Sequence, residues 1–429
     1  MKKYDEYKDS GVAWIGEVPK HWEVIKTSLA FQGIGSGTTP STSKKEYYDD
    51  NGNGKYWLQT GDLEDGIVYD TSKKVSNIAI KECNLTFYPI DSIIIAMYGA
   101  TIGKVGILGI ESATNQACCV IPVTQKQIAK YFFYEFLACK PALLIAAIGG
   151  GQPNISQDTI KKLKIVIPPI IEQAAIATYL DTHCAKIDNL ISIQQKRIAL
   201  LQELKQSVIT HAVTKGLNPN VEMKQSGVEW IGDVPKHWEV LRGKYALSIL
   251  SGFPFDSQKF EFEDNGVYMP LIRIRDINGS STEVYYSGSY PIESVVKTGE
   301  VLIGMDGDFN ISKWKGTNAL LNQRVCKLRE DSSMNTHYAF YMLSSPLKAI
   351  NSVTYATTVK HLSVYDIYNA FIPVPPISEQ TAIASYLDRK CATIDTSISN
   401  AQHQIDLLQE YKQSLITEVV TGKRKVTDN

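Results

Sequence analysis

The chain contains two copies of one pattern, and this duplication restricts its fold more than any other feature. Ser10–Val24 reads SGVAWIGEVPKHWEV and Ser226–Val240 reads SGVEWIGDVPKHWEV, identical at thirteen of fifteen positions. A second pair lies further along each half. IPPIIEQAAIATYLDTHCAKIDNLI (Ile167–Ile191) matches VPPISEQTAIASYLDRKCATIDTSI (Val374–Ile398), and LLQELKQSVITHAVT (Leu200–Thr214) matches LLQEYKQSLITEVVT (Leu407–Thr421). Between these blocks the halves diverge and keep only scattered anchors. IIIAMYG (Ile93–Gly99) answers VLIGMDG (Val301–Gly307), and Asn115-Gln116 answers Asn322-Gln323. A repeat of this length signals a repeated structural unit. The order conserved–variable–conserved, given twice, predicts one scaffold carrying two non-identical domains. A metabolic enzyme with a single active site has no evident use for it. The expected segments are 1–24, a variable domain at 25–167, a helical region at 168–215, the repeated leader at 216–240, a second variable domain at 241–374 and a closing helical region at 375–425.

The conserved blocks after each variable stretch read as helices. Pro168-Pro169 and Pro375-Pro376 punctuate the chain ahead of them, and Ser378 with Glu379 marks a helix start. A short first helix is expected to end near Leu180 and Leu387, where Asp181 and Asp388 can cap a longer one. In that longer helix Cys184, Ile187, Ile191, Gln194, Ile198, Leu201, Lys205 and Val208 recur at alternating spacings of 3 and 4. Cys391, Ile394, Ile398, Ala401, Ile405, Leu408, Lys412 and Leu415 repeat the stripe. A 3.5-residue period sustained over several turns predicts a coiled-coil seam, the two stripes hiding one another from water. The variable stretches read as mainly β: SIIIAM and VLIGM are short buried runs, and GDLEDGIVYD, NGVYMPLIRIRDI and DINGSSTEVYY carry turn dipeptides between β-formers. Lys126–Ile148 and Ser332–Val353 read as helical. The expected fold class is therefore α+β, two mixed α/β globules joined by two long helices.

Little in the sequence supports catalysis. Gly99-Ala-Thr-Ile-Gly103-Lys104 resembles a phosphate loop but is one residue short between its glycines, with Val105 where Ser or Thr should bind magnesium. Gly33-Ile-Gly35-Ser-Gly37 lacks dinucleotide-loop spacing. The seven histidines form no metal-binding spacing, and the seven cysteines, an odd number, form no CxxC pair. Disulfides and zinc are not expected, and a reducing cytoplasm is. The opening MKKYDEYKDSGVAW has no apolar signal core. A net charge of −1 does not advertise a nucleic-acid partner, although contact with phosphates depends on where charge lies rather than on its sum.

The motifs SGVxWIGxxPxHWEV, EQxxIAxYLD with its QS[VL]IT ending, and YGATIGKVGIL…ATNQACC resemble the specificity subunits of type I restriction–modification systems, along essentially the whole chain. The resemblance implies a non-catalytic subunit whose variable regions are target-recognition domains, each reading one half of an asymmetric bipartite DNA site. It implies that the conserved helices form an antiparallel coiled coil. The implied partners are double-stranded DNA, two methyltransferase subunits, and restriction–translocation subunits recruited through them. No cofactor is implied for this chain; S-adenosylmethionine, ATP and Mg belong to the partner subunits. A specificity module of another restriction class, a two-domain DNA-binding regulator and a coiled-coil adaptor without DNA remain alternatives.

Base edges are read by Arg, Lys, Asn, Gln and Asp, and phosphates are held by hydroxyls and backbone amides. In the first variable domain the candidates are Thr38 and Thr39 after the glycine loop, Gln59 and Thr60, the loop bearing Tyr98, Thr101 and Lys104, and Gln152 and Asn154 in the GGGQPN turn. In the second they are Phe253, Arg273, Arg275, Asp276, Asp306, Asn310 and Lys313, with Lys360 and His361 standing where GGGQPN stands in the first. The Arg-Ile-Arg-Asp segment also reads as a strand-edge ion pair. Asn115-Gln116 and Asn322-Gln323, present in both halves, cannot by themselves encode different half-sites, so a structural or phosphate role is expected. Trp14, Trp22, Trp230 and Trp238 are expected to pack the leader segments onto the scaffold.

Overall fold

The computed structural model describes residues 3–49, 53–124, 126–147, 154–331, 333–353 and 360–426. The chain divides into two compact units, residues 1–195 with 402–429, and residues 196–401. Each unit therefore holds one variable domain and one half of each of two long helices, Ile170–Lys215 and Ile377–Val420.

In the first unit, strand Ile93–Ala96 is wholly buried, as its unbroken β-branched run requires of a central strand. It pairs antiparallel with Val105–Leu108 and Cys118–Ile121, and short strands at Gly35–Ser36 and Gly66–Val68 complete a five-stranded sheet. A four-stranded sheet carries Lys55–Leu58 beside Ser112–Thr114. Helix Ala129–Ile145 follows, burying Tyr131, Phe132 and Phe136. In the second unit Val301–Gly304 is the buried centre of Ser248–Ser251, Val325–Arg329 and Ile311–Lys313, and Met269–Ile272 pairs with Ala319–Leu321 in the other sheet. The helical segment expected at Ser332–Val353 forms two helices, Thr336–Met342 and Ser344–Val353.

The strands that enter and leave each variable domain pair with one another. Glu23–Lys26 lies antiparallel to Lys164–Ile167, with Val24 opposite Val166. Glu239–Arg242 lies antiparallel to Phe371–Val374, with Val240 opposite Pro373. Each domain is thus inserted through two adjacent strands, so its interior can diverge without disturbing the scaffold.

The conserved blocks account for that scaffold. Glu172, in the first turn of its helix, accepts hydrogen bonds from Tyr4 Oη (2.7 Å) and Trp22 Nε1 (3.1 Å) and pairs with His21 Nε2 (2.7 Å). Glu379 does the same for Trp238 Nε1 (2.9 Å) and His237 Nε2 (2.7 Å). A carboxylate is favoured at a helix N-terminus, which explains its place in both copies. The neighbouring Gln173 and Gln380 are buried and bridge outward. Their Oε1 atoms accept the amides of Ile128 (3.1 Å) and Asn335 (2.8 Å), tying each domain's helix to the scaffold. Trp22 and Trp238 are fully buried, as their reading as packing residues requires.

The helix break expected near Leu180 and Leu387 does not occur; both long helices run through without interruption. No Gly or Pro stands there, and Asp181 and Asp388 are not caps. Their carboxylates accept Tyr134 Oη (3.0 Å) and Tyr341 Oη (2.7 Å) and pair with Lys130 and Lys313, so they fasten the variable domain to the helix. Within the first unit the start of one long helix packs beside the end of the other: Cys184 and Ile187 share a core with Leu415, Ile416 and Val419, and Asp188 pairs with Lys412 at 2.7 Å. The second unit repeats this with Lys205 and Asp395 at 2.7 Å. The pairing in each unit is antiparallel. Every residue of the two sequence stripes is buried or half-buried, while Leu190, Ile193, Leu200 and Leu407 beside them are exposed. Among the described residues no helix is long and apolar enough to cross a membrane.

Candidate nucleic-acid interface

At one end of the main sheet in each variable domain, backbone hydrogen bonds gather segments that lie far apart in sequence. In the first domain Thr38 N donates to Thr114 O (3.0 Å), Asn115 N to Leu58 O (2.9 Å), Met97 N to Ala117 O (2.8 Å) and Ile155 N to Met97 O (2.7 Å). In the second, Phe253 N donates to Leu321 O (2.9 Å), Asn322 N to Ile272 O (3.3 Å), Met305 N to Arg324 O (3.0 Å) and Leu362 N to Met305 O (2.7 Å). The two networks match link by link. They make Thr38 the counterpart of Phe253, Gln59 of Arg273, Tyr98 of Asp306, and Asn154 of His361.

The anchors shared by both halves build this frame. Asn115 Oδ1 accepts the Ala117 amide and Asn322 Oδ1 the Arg324 amide, each at 3.2 Å, so the Asn-Gln pair closes the same side-chain-to-backbone turn twice. A Cβ on Gly37 would lie 1.8 Å from Thr114 O, and one on Gly252 2.0 Å from Asn322 O; only glycine permits that approach. Asp62 and Asp276 match as well, accepting the amides of Gln59 (2.8 Å) and Arg273 (2.9 Å).

On this frame Thr38, Thr39, Asn154, Asn310 and His361 are exposed, and Gln59, Thr60, Tyr98, Thr101, Phe253, Arg273 and Asp306 are half-buried. Arg275 is exposed. Gln152, with Gly149–Gly151, lies outside the described residues. Four candidates turn inward. Asp276 is buried, which pushes its carboxyl up, and it holds its own turn. Lys104 Nζ donates to Leu63 O (2.8 Å), and Lys360 Nζ to Asn351 Oδ1 (3.0 Å). Lys313 Nζ reaches Asp388 (3.0 Å) and covers the Phe340 ring. Burial raises the Asp388 carboxyl, but the Tyr341 and Lys313 hydrogen bonds outweigh it and hold the group below the usual range. The Arg-Ile-Arg-Asp segment follows the end of strand Met269–Ile272 as a turn and is no strand edge. Its arginines converge on Glu283, Arg273 at 3.0 Å and Arg275 at 3.4 Å. The Gly99–Lys104 stretch joins two antiparallel strands, not the strand and helix a phosphate loop needs.

One residue of this end went unread in the sequence. Arg324 is exposed and its guanidinium lies 3.4 Å from Asp306. The signal was present: aligning the halves on Asn-Gln places Arg324 against Ala117.

Two domains on one frame, conserved in backbone and divergent in side chain, define a duplicated recognition protein. The sequence places it: residues 19–203 and 235–405 match the family model of the type I restriction modification DNA specificity domain, and the chain belongs to that family. It is 28% identical over 445 residues to the type I restriction enzyme MjaIX specificity subunit of Methanocaldococcus jannaschii, covering 99% of this chain and 97% of that protein. It is 34% identical over 203 residues to the type I restriction enzyme EcoBI specificity subunit of Escherichia coli, where the match takes in 47% of this chain and 42% of that protein. Its fold is similar to that of a chain solved for the structural basis of complex assembly and conformational transition of the type I R-M system, with TM-score 0.72, 16% identity and coverage of 94% and 98%. The HsdS subunit from Thermoanaerobacter tengcongensis gives TM-score 0.51 at 15% identity, over 95% and 98% of the two chains.

Proposed function

We propose that this chain is the DNA-recognition subunit of a type I restriction–modification complex, each variable domain reading one half of an asymmetric bipartite site. The observation that carries the reading is the pair of matched networks, whose frame is shared and whose outward side chains differ. That is what two readers of different sequences on one scaffold require. Thr38, Thr39, Gln59, Tyr98 and Asn154 face the first half-site; Phe253, Arg273, Arg275, Asp306, Asn310 and His361 face the second. Exposed hydroxyls and amides around them grip phosphates and fix register, and the Gln and Arg side chains supply base contacts. The chain does no chemistry itself. It scaffolds two methyltransferase subunits, through which restriction–translocation subunits join, and S-adenosylmethionine, ATP and Mg act on those partners.

The paired strands at Val24–Val166 and Val240–Pro373 give natural exchange points. Replacing residues 25–167 with the equivalent region of a relative, in a chain co-expressed with its methyltransferase partner, should change one half of the methylated motif and leave the other intact. Simultaneous change of both halves would refute independent readers.

A further inference from the structure

Arg324 occupies a place that only the second domain equips. Its backbone is fixed on both sides: the amide donates to Asn322 Oδ1 (3.2 Å), and the carbonyl accepts from Met305 N (3.0 Å). Its guanidinium lies 3.4 Å from Asp306 Oδ2, and the other oxygen of that carboxylate pairs with His361 Nδ1 at 2.6 Å. The Asp306 side chain is only 21% exposed, whereas that of Arg324 is 56% exposed. The carboxylate is therefore engaged on both oxygens from within the protein, and the arginine keeps an open side. The loop that carries Asp306 is anchored by Phe309, which is buried and holds a left-handed φ of +52°. A bulky residue adopts that conformation only where its surroundings impose it. The matched positions in the first domain are Ala117, Tyr98 and Asn154, all without charge.

We infer that Arg324 is a specificity-determining residue of the second domain and reads a guanine, with Asp306 as its positioning residue. This rests on the chain being the DNA-reading subunit proposed above. The chemistry is that of the fork-shaped guanidinium, whose parallel N–H donors match O6 and N7 of guanine in the major groove. A long flexible side chain reads a base only when its orientation is set beforehand, and a half-buried carboxylate sets it. Asp306, mostly buried and with each oxygen already facing a partner, is less open to a cytosine amino group than Arg324 is to a guanine, so the pair reads through the arginine. Absence of a counterpart at Ala117 makes this contact a property of the second half-site alone.

The test uses the complex of the full chain with its methyltransferase partner. Methylation rates are measured on duplexes differing singly at each base pair of the second half-site, for the parent, Arg324→Ala, Arg324→Lys and Asp306→Asn. Arg324→Ala should lose about 5- to 150-fold of the discrimination at one G·C pair and none at the first half-site. Asp306→Asn should relax the same pair by less, and Arg324→Lys should recover only part of the preference. An unchanged motif in Arg324→Ala, or an equal fall on all duplexes, would overturn the assignment, the latter by making Arg324 a phosphate contact. A parent complex that methylates without any bipartite motif would instead overturn the function on which the inference rests.

Discussion

Exchanging two residues of the first unit for their counterparts in the second, Glu135→Met and Val166→Pro, singly and together, tests how the duplicated core diverged. Glu135 is wholly buried in helix Ala129–Ile145. One oxygen accepts the Val166 amide at 2.8 Å, and the other has no partner. Burial pushes its carboxyl up to about 8, against an ordinary 4.5, although the Val166 amide and Tyr131 pull it down. Met342 holds the matching position in the second unit and Pro373 answers Val166, as the shared hydrogen bonds of Tyr131 to Val166 O (3.0 Å) and Tyr338 to Pro373 O (3.1 Å) show. Proline has no N–H, so that copy needs no buried acceptor.

The folded chain keeps the Glu135 proton that the unfolded chain releases, so this group's contribution to stability falls as pH rises from about 4.5 to about 8. At about 1.4 kcal/mol per pKa unit, the cost to the fold is roughly 3 kcal/mol at pH 7 and grows by roughly 4 kcal/mol between pH 5 and pH 9. Glu135→Met removes that cost but strands the Val166 amide, at about 1–3 kcal/mol. The single variant should therefore fall below the parent at pH 5, cross it at about pH 6 and exceed it at pH 9. Val166→Pro alone leaves the carboxyl without its backbone donor and should destabilise. The double variant should exceed Glu135→Met by about 1–3 kcal/mol, because no amide is left unpaired. Denaturant unfolding across this pH range gives all four curves. Parallel pH profiles for parent and Glu135→Met, or strictly additive single changes, would refute the reasoning.

Glu172→Ala should cost about 2–3 kcal/mol of stability in thermal or denaturant unfolding, since a carboxylate 16% exposed leaves three donors unanswered, whereas Glu379→Ala, 41% exposed and serving two, should cost less. Gln59→Ala should relax only the first half of the methylated motif and Arg273→Ala only the second, by about 1–3 kcal/mol of discrimination each, read by methylation mapping; cross-effects would show that these matched positions do not belong to separate readers.

The sequence by itself determined the duplication, the buried strands at Ile93–Ala96 and Val301–Gly304, and the seam from Cys184 to Val208 and from Cys391 to Leu415. These are matters of repeat and periodicity, which one stretch of chain expresses without reference to any other. The free or engaged state of each polar side chain was decided by tertiary structure alone. Lys104 and Lys360 looked like donors for DNA, yet the first meets the carbonyl of Leu63 and the second Asn351. Asp181 and Asp388 looked like helix caps, yet each meets a tyrosine from a helix some 47 residues away in sequence. Arg324 follows an Asn-Gln pair shared by both halves, and only the fold brings Asp306, itself paired with His361, next to it. Burial follows from a local apolar pattern, but whether a charge is tied to the protein's own backbone and amides, as at Lys104 and Lys360, or oriented by a partner while keeping an open side, as at Arg324 beside Asp306, depends on which distant segments the fold brings together.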